Sequence, residues 1–240
     1  MPDRERPDDH DSPDPNQPAA YRQALAAGLQ QLRVRLDDDQ ITKLEAHYHR
    51  VVETNRLFNL TRITKPADFA VKHHLDSLAV VRWADDHRIK VRRVLDVGTG
   101  AGLPAIPVAI ARPDWLVTAI DGTAKKSNFV AQTAAALELP NLTVLHERAE
   151  HWTPDQRFDL VLFKAIGPIE RCIRLARPHL ARNSHAVLYK TADLPNDERT
   201  AGARCAAELG YAPAKHYDYE LQLHGETIPR RLWLFRLDRL

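Results

Sequence analysis

The chain has 240 residues, 44% of them hydrophobic, enough to bury one substantial core as a single domain with attachments. No apolar run approaches the roughly 20 residues of a membrane span, and the first residues lack the apolar stretch of a secretory signal. Cys172 and Cys205 stand at no metal or redox spacing and read as small buried hydrophobes, so a cytoplasmic protein without disulfides or metal is expected. The formal net charge of +2 hides an asymmetry: six acids against Arg4 and Arg6 place −4 on residues 1–20, leaving +6 on the remainder. A moderately basic body suits a polyanionic partner without requiring one.

Residues 1–18 are acidic and proline-rich and have no aromatic side chain, so they cannot bury enough apolar surface to offset chain entropy, and disorder is expected. Residues 19–88 read as a helical N-terminal cap. Its first helix runs from Ala19 to Val34 with Leu25, Leu29 and Leu32 on one face. A second starts near Asp37–Asp39, whose carboxylates can cap it, and reaches about Leu57. A third opens at Pro66 and continues through Phe69, Val71, Leu75 and Leu78 to Trp83.

From residue 89 to 240 short apolar runs alternate with helical stretches: VRRVLDVG, WLVTAID, LTVLHER, DLVLFKA and AVLYK, joined by segments 104–112, 123–138, 168–181 and 197–209. That rhythm predicts an α/β fold, a doubly wound, mostly parallel sheet with helices on both faces. Two further strands, around 214–221 and 230–237, have no helix between them and are expected as an antiparallel hairpin at one edge, making seven strands.

The first strand ends in Asp96-Val-Gly98-Thr-Gly100-Ala-Gly102-Leu-Pro104, and the second ends in Asp121. Glycine lets a ligand approach the main chain closely, and in an open α/β sheet this loop lies beside the switch point where ligands bind. A carboxylate about 20 residues beyond such glycines can accept hydrogen bonds from both ribose hydroxyls, so Gly98, Gly100 and Asp121 mark a nucleoside site. A dinucleotide fingerprint would need glycine where Leu103 stands. The G-x-G-x-G loop after an aspartate is instead typical of methyltransferases. The bland alternative is a strand–turn–helix whose glycines serve packing only.

From about Val52 to Lys190 the chain resembles the RsmG (GidB) family of small-subunit ribosomal RNA guanine-N7 methyltransferases. The resemblance rests on NRLFNLTRIT (55–64), KHHLDSL (72–78), DVGTGAGLPAIPVAI (96–110), IDGTAKKSNFV (120–130) and ERAE (147–150), in one order. It implies a class I S-adenosylmethionine-dependent methyltransferase fold, Rossmann-like, with a helical N-terminal addition. It also implies methylation of guanine N7 in 16S ribosomal RNA, with naked RNA or an assembling subunit as partner. Cofactor positions carried over by the resemblance are Gly98, Leu103, Ala149, Glu150 and Lys164. The family usually has arginine at the last of these; lysine keeps the charge but loses the planar fork. Ala105, Gly122 and Thr191 also depart from the family's residues.

Guanine N7 offers a free lone pair, so no proton need be removed first, and orientation of the two reactants can supply most of the catalysis. No catalytic acid, base or nucleophile is therefore assigned. KAIGPIE (164–170) lacks the Asn/Asp-Pro-Pro-aromatic loop of exocyclic-amine methylases, and neither cysteine sits where a C5 methylase needs one. Candidates for RNA docking are Asn59, Arg62, Lys72, His73, Lys125, Lys126 and Lys190. The ordinary alternatives are a solvated first-turn pair for Lys125–Lys126 and helix packing for His73–His74. Arg88, Lys90, Arg92 and Arg93 form a further basic cluster that reads either as a phosphate grip or as a charged linker. Trp115, Phe129 and Phe163 read as core. A monomer is expected. Three rivals stay open: a methyltransferase-like domain whose chemistry has lapsed and which binds RNA or protein, a methyltransferase with another RNA target, and a nicotinamide-dependent reductase using Tyr211-Ala-Pro-Ala-Lys215. Pro213 argues against the last by breaking the helix it would need.

Overall fold

The computed structural model describes residues 17–239. The segment expected to be disordered lies outside them, except that α1 (Gln17–Leu32) begins two residues inside it. This helix stops short of Val34 because Arg33 turns left-handed, φ 53°, and the Val34 N–H closes back on the Leu29 carbonyl at 3.1 Å. In α2 (Asp38–Asn55) the Asp37 carboxylate accepts from the Gln40 N–H while the Gln40 side chain accepts from the Asp37 N–H, a reciprocal cap. It ends at Asn55 rather than Leu57 because the Asn55 side chain accepts from the Leu60 and Thr61 N–H groups at 2.7 and 3.0 Å, folding residues 56–61 into a loop.

The third expected helix is a continuous rod of three parts: α3 (Pro66–Phe69), a π-helical stretch (Ala70–Leu75) and α4 (Asp76–Asp86). Wide π turns inside α-helices recur at functional sites. Here the Lys72 and His73 carbonyls accept from a side chain of the sheet, described below.

Strands and helices then alternate: β1 (Arg93–Val97), α5 (Ala105–Ala111), β2 (Leu116–Ile120), α6 (Ala124–Ala136), β3 (Leu142–Leu145), β4 (Phe158–Lys164), α7 (Ile169–Ala176), β5 (Leu180–Thr191), α8 (Asn196–Glu208), β6 (Lys215–Leu223) and β7 (Glu226–Arg236). The seven-stranded sheet has the order β3-β2-β1-β4-β5-β7-β6. All pairings from β3 to β5 are parallel, and β7 is antiparallel to both neighbours. The terminal hairpin does form, but its second strand inserts beside β5 and leaves β6 at the edge. Its turn, His224–Gly225, has φ of 52° and 80°, the pair of left-handed residues that a tight hairpin needs. Pro229 is tolerated because it lies just beyond Arg230, the last β7 residue paired to β5, where no N–H is required on that side.

Alternation along the strands sorts side chains to two cores. Val94, Leu160, Leu162, Val187 and Tyr189 face α5, α6 and the N-terminal helices, while Leu95, Val161, Phe163, Ala186 and Leu188 face α7 and α8. The N-terminal helices thus share one continuous core with the sheet. Trp115, Phe129 and Phe163 are buried, as are Cys172 on α7 and Cys205 on α8. No helix among the described residues is long and apolar enough to cross a membrane. Tyr211 follows α8, its hydroxyl donating to the Ile173 carbonyl, and Lys215 opens β6, so the two residues of the reductase pattern do not share a helix.

Candidate active site

The sheet order reverses between β1 and β4, and the crevice at their carboxyl ends is where such sheets take ligands. An open cavity of about 200 Å³ lies there, lined by residues that follow β1 (Gly98), β2 (Asp121, Gly122, Thr123), β3 (Glu147, Arg148, Ala149, Glu150) and β4 (Ile166), with Arg171 and Leu175 from α7. Its apolar surface comes from Val97, Ile120, Ala149, Ile166 and Leu175, an arrangement suited to a flat base.

Gly98 has φ +70°, and an added Cβ would stand 2.4 Å from Ile166 Cδ1, so the backbone approaches the cavity as only glycine permits. Its N–H donates to the Ile120 carbonyl, joining the glycine loop to β2. Asp121 closes the other side. One carboxylate oxygen accepts from the Gly100 N–H at 3.0 Å and the other from the Thr123 N–H at 2.8 Å. Each oxygen retains a lone pair for a further donor, so the side chain is held in place while able to accept from a diol.

Asp96, at the end of β1, is buried, and burial pushes its carboxyl up to about 7. Oδ2 accepts from the Ala105 N–H, whereas Oδ1 and the neighbouring Thr99 hydroxyl make no well-formed hydrogen bond among the described residues, the hydroxyl standing close enough to oppose the upward push on the carboxyl. A glycine cradle, a pinned carboxylate and buried oxygens with no well-formed hydrogen bond beside the same loop fit an adenosyl group bearing a cationic tail. Among the described residues no cluster of metal-ligating side chains occurs.

Of the residues singled out in the sequence, Gly98, Asp121, Ala149 and Glu150 line this cavity together. Gly100 contributes through its N–H to Asp121, and Leu103 is buried in the core behind the loop. Lys164 does not line the cavity. Its ammonium pairs with Asp76 Oδ2 at 2.7 Å and donates to the Lys72 and His73 carbonyls at 3.1 and 3.3 Å. The fully buried Asp76 also receives Arg230 and the Tyr219 hydroxyl, so the end of β4, the π-helical stretch and the terminal hairpin are tied at one point. Burial alone would raise the Asp76 carboxyl, but Lys164 and Arg230 hold it down at about 2.

Among the RNA candidates, the Asn59, Arg62 and Lys125 side chains are exposed and make no hydrogen bond or ion pair among the described residues. Lys72 is paired with Asp68, Lys190 with the Gly167 carbonyl and Glu198, and His73 Nε2 meets the Thr61 hydroxyl at 2.7 Å. Lys126 lies half-buried in the first turn of α6. His74 is fully buried, the packing role weighed for it. Leu57, 83% exposed, shares the 56–61 loop with Asn59 and carries no local sequence signal beyond the loop itself. Arg88, Lys90, Arg92 and Arg93 lead into or open β1, at the end of the sheet opposite the cavity. Cavity residues missed in the sequence include Thr123, Arg148, Ile166, Arg171 and Leu175, which follow strand ends or lie on α7.

The family described as GidB, rRNA small subunit methyltransferase G, matches residues 40–214. This chain belongs to that family. Proteins named ribosomal RNA small subunit methyltransferase G from Microcystis aeruginosa and Methylobacillus flagellatus are 38% and 36% identical to it, over 64% and 78% of this chain and 72% and 89% of theirs. The fold is that of S-adenosylmethionine-dependent methyltransferases of class I. Magnesium protoporphyrin IX methyltransferase from Synechocystis PCC 6803, solved with bound SAM, superposes with a TM-score of 0.55 at 18% identity, over 84% of this chain and 98% of that one. Precorrin-6y C5,15-methyltransferase from Geobacter metallireducens GS-15 gives 0.51 at 16% identity, over 67% and 88%. These solved structures share this chain's sheet architecture, while the RNA-related naming comes from the family.

Neutral histidines behind the loop carry a consequence for stability. Burial pushes His47 down to about 4 and His74 well below its ordinary range. A depressed folded value means the contribution is complete above about pH 6.5, the unfolded value, and is lost as pH falls toward 4. Asp96, raised to about 7, acts in the opposite sense, so the clean comparison is with His47→Gln. Urea unfolding at pH 7.5 and pH 5 is expected to show a larger acid loss in the native protein, by roughly 2 kcal/mol. Equal losses in the two proteins would contradict neutral burial of His47.

Proposed function

We propose that this chain transfers a methyl group from S-adenosylmethionine to guanine N7 in small-subunit (16S) ribosomal RNA, and that the cavity beside Gly98 and Asp121 holds the donor. The observation that carries the reading is that the glycine loop, the carboxylate ending β2 and the turn after β3 converge on one cavity at the switch point of a sheet of this family. When bound, S-adenosylmethionine supplies an electrophilic methyl group on a sulfonium.

The chain's own residues bind and orient. Gly98 lets the main chain approach the donor, Asp121 accepts from the ribose hydroxyls, and Ile120, Ala149 and Ile166 exclude water from the base. Glu150 and Arg171, 3.9 Å apart, bound the outer rim. N7 attacks with its own lone pair, so no side chain removes a proton, and the rate comes from alignment of the reactants. Lys164 serves this alignment from outside the cavity, by fixing the end of β4 to the π-helical stretch through Asp76.

For RNA, the exposed loop bearing Leu57, Asn59 and Arg62, together with Lys125 at the start of α6, forms the contact surface, acting in the cytoplasm where the small subunit assembles. Lys72, His73 and Lys190, already engaged within the fold, shape that surface. In cells lacking the gene, borohydride and aniline cleavage of small-subunit RNA is expected to lose one strong stop, and the native chain restores it. Unchanged cleavage would reject the guanine-N7 assignment.

A further inference from the structure

Behind the glycine loop three buried side chains from three N-terminal elements form a single file. The Tyr21 hydroxyl on α1 lies 2.6 Å from His74 Nδ1, His74 Nε2 in the π-helical stretch lies 3.0 Å from His47 Nδ1, and His47 Nε2 on α2 lies 2.8 Å from the Ala101 carbonyl. Tyr21, His47 and His74 are each 0% exposed. A carbonyl can only accept, so His47 Nε2 carries the proton and its Nδ1 is an acceptor. His74 Nε2 must then donate to it, which leaves His74 Nδ1 to accept from the tyrosine hydroxyl. One proton arrangement satisfies every group with both rings neutral, as burial requires.

The end of this file is the site. Ala101 lies between Gly100, whose N–H holds Asp121, and Gly102, where an added Cβ would stand 3.6 Å from His47 Nε2. Both Gly100 and Gly102 have positive φ, a run of backbone with little intrinsic preference for one shape. Phe69 stands nearly perpendicular to the two imidazoles, its centroid 6.4 Å from that of His47 and 4.9 Å from that of His74.

We propose that His47 is a positioning residue of the donor site: by holding the Ala101 carbonyl, with His74 and Tyr21 setting its tautomer, it fixes the glycine loop in the shape that receives S-adenosylmethionine. The inference rests on the donor occupying the cavity beside Gly98 and Asp121. It makes the N-terminal helices part of the donor site, though they contribute no residue to the cavity wall. Because the hydrogen bond organises the loop before the donor arrives, its loss acts on affinity more than on the methyl-transfer step.

The test is calorimetric titration of the full chain with S-adenosylmethionine, paired with turnover on small-subunit RNA, for the native protein, His47→Leu, His47→Gln and Tyr21→Phe. His47→Leu is expected to raise Kd and KM for the donor about tenfold while kcat stays within about twofold. His47→Gln, whose amide nitrogen can donate from the place of Nε2, is expected to recover most of that loss. Tyr21→Phe removes one hydroxyl at the far end and is expected to weaken binding by about threefold through a looser tautomer. Should His47→Leu fail to fold, Tyr21→Phe decides, and an unchanged Kd there overturns the proposal. Native protein that binds the donor while folded His47→Leu binds it equally well overturns this proposal alone. Native protein that does not bind the donor overturns the cavity assignment and this proposal with it.

Discussion

Gly98→Arg is expected to abolish binding of S-adenosylmethionine while leaving the sheet folded. At φ +70° a side chain costs roughly 1–2 kcal/mol of backbone strain, and the new Cβ meets only the far end of Ile166, which can move. The stability loss is therefore modest, because Gly98 stands at the rim of the core rather than in it. The binding loss is large. The new side chain starts from the wall of the cavity that Gly98 lines, where it would displace the ligand and set a positive charge beside a cationic donor. A Kd weakened by more than about 100-fold is expected by calorimetry, with Gly98→Ala falling in between. Retained affinity in Gly98→Arg would place the donor elsewhere.

The second large effect falls on stability. Asp76→Ala is expected to destabilise the fold by about 3–5 kcal/mol, because it leaves Lys164, whose side chain is 12% exposed, and Arg230 facing each other without their carboxylate. The Tyr219 hydroxyl loses its acceptor at the same time. Since the carboxyl is held at about 2 in the fold, its contribution is present above about pH 4 and is lost as pH falls toward 2. Adding Lys164→Met to Asp76→Ala should recover part of the loss, since one unpaired cation is removed and the two residues are in contact. Urea unfolding of the single and double variants measures both effects. A loss below about 1 kcal/mol in Asp76→Ala would show that water reaches the cations and that the cluster is not the tie described above.

These two sites mark the boundary of what local sequence can reveal. The glycine loop and the carboxylate ending β2 are legible because each is a property of a few consecutive residues: glycines force close backbone approach, and an acid placed after an apolar run stands at a strand's carboxyl end. The alternation of strands and helices is legible for the same reason, since periodicity is local. The tie at Asp76 is not. Its partners Lys164 and Arg230 come from the sheet and the terminal hairpin, and nothing in KHHLDSL announces that its aspartate will be fully buried among cations.

The same distinction explains the differences in the elements. β5 begins at Leu180, well before the apolar run AVLYK: the polar residues Arg182, Asn183 and Ser184 bulge between the Phe158–Leu180 and Leu160–His185 pairs, and the Asn183 N–H and Ser184 carbonyl bond to Leu237 instead. Insertion of β7 between β5 and β6 follows from sheet pairing rather than from any residue in the hairpin. The π-helical stretch looks like ordinary helix in its apolar spacing; its wider backbone turn, and the Lys164 ammonium that meets its Lys72 and His73 carbonyls from a distant strand, leave no local sequence signal. His47 reads in sequence as one more residue on the inner face of α2. Its meeting with Ala101 exists only once α2 is laid against the loop.

The most direct test is a crystal of the full chain grown with S-adenosylmethionine. The adenosine is expected between Asp121 and Ala149, both ribose hydroxyls on the Asp121 carboxylate, and the methionine end passing Gly98 toward Asp96. Donor density on another face of the sheet, or a cavity left empty while the donor binds in solution, would contradict the account.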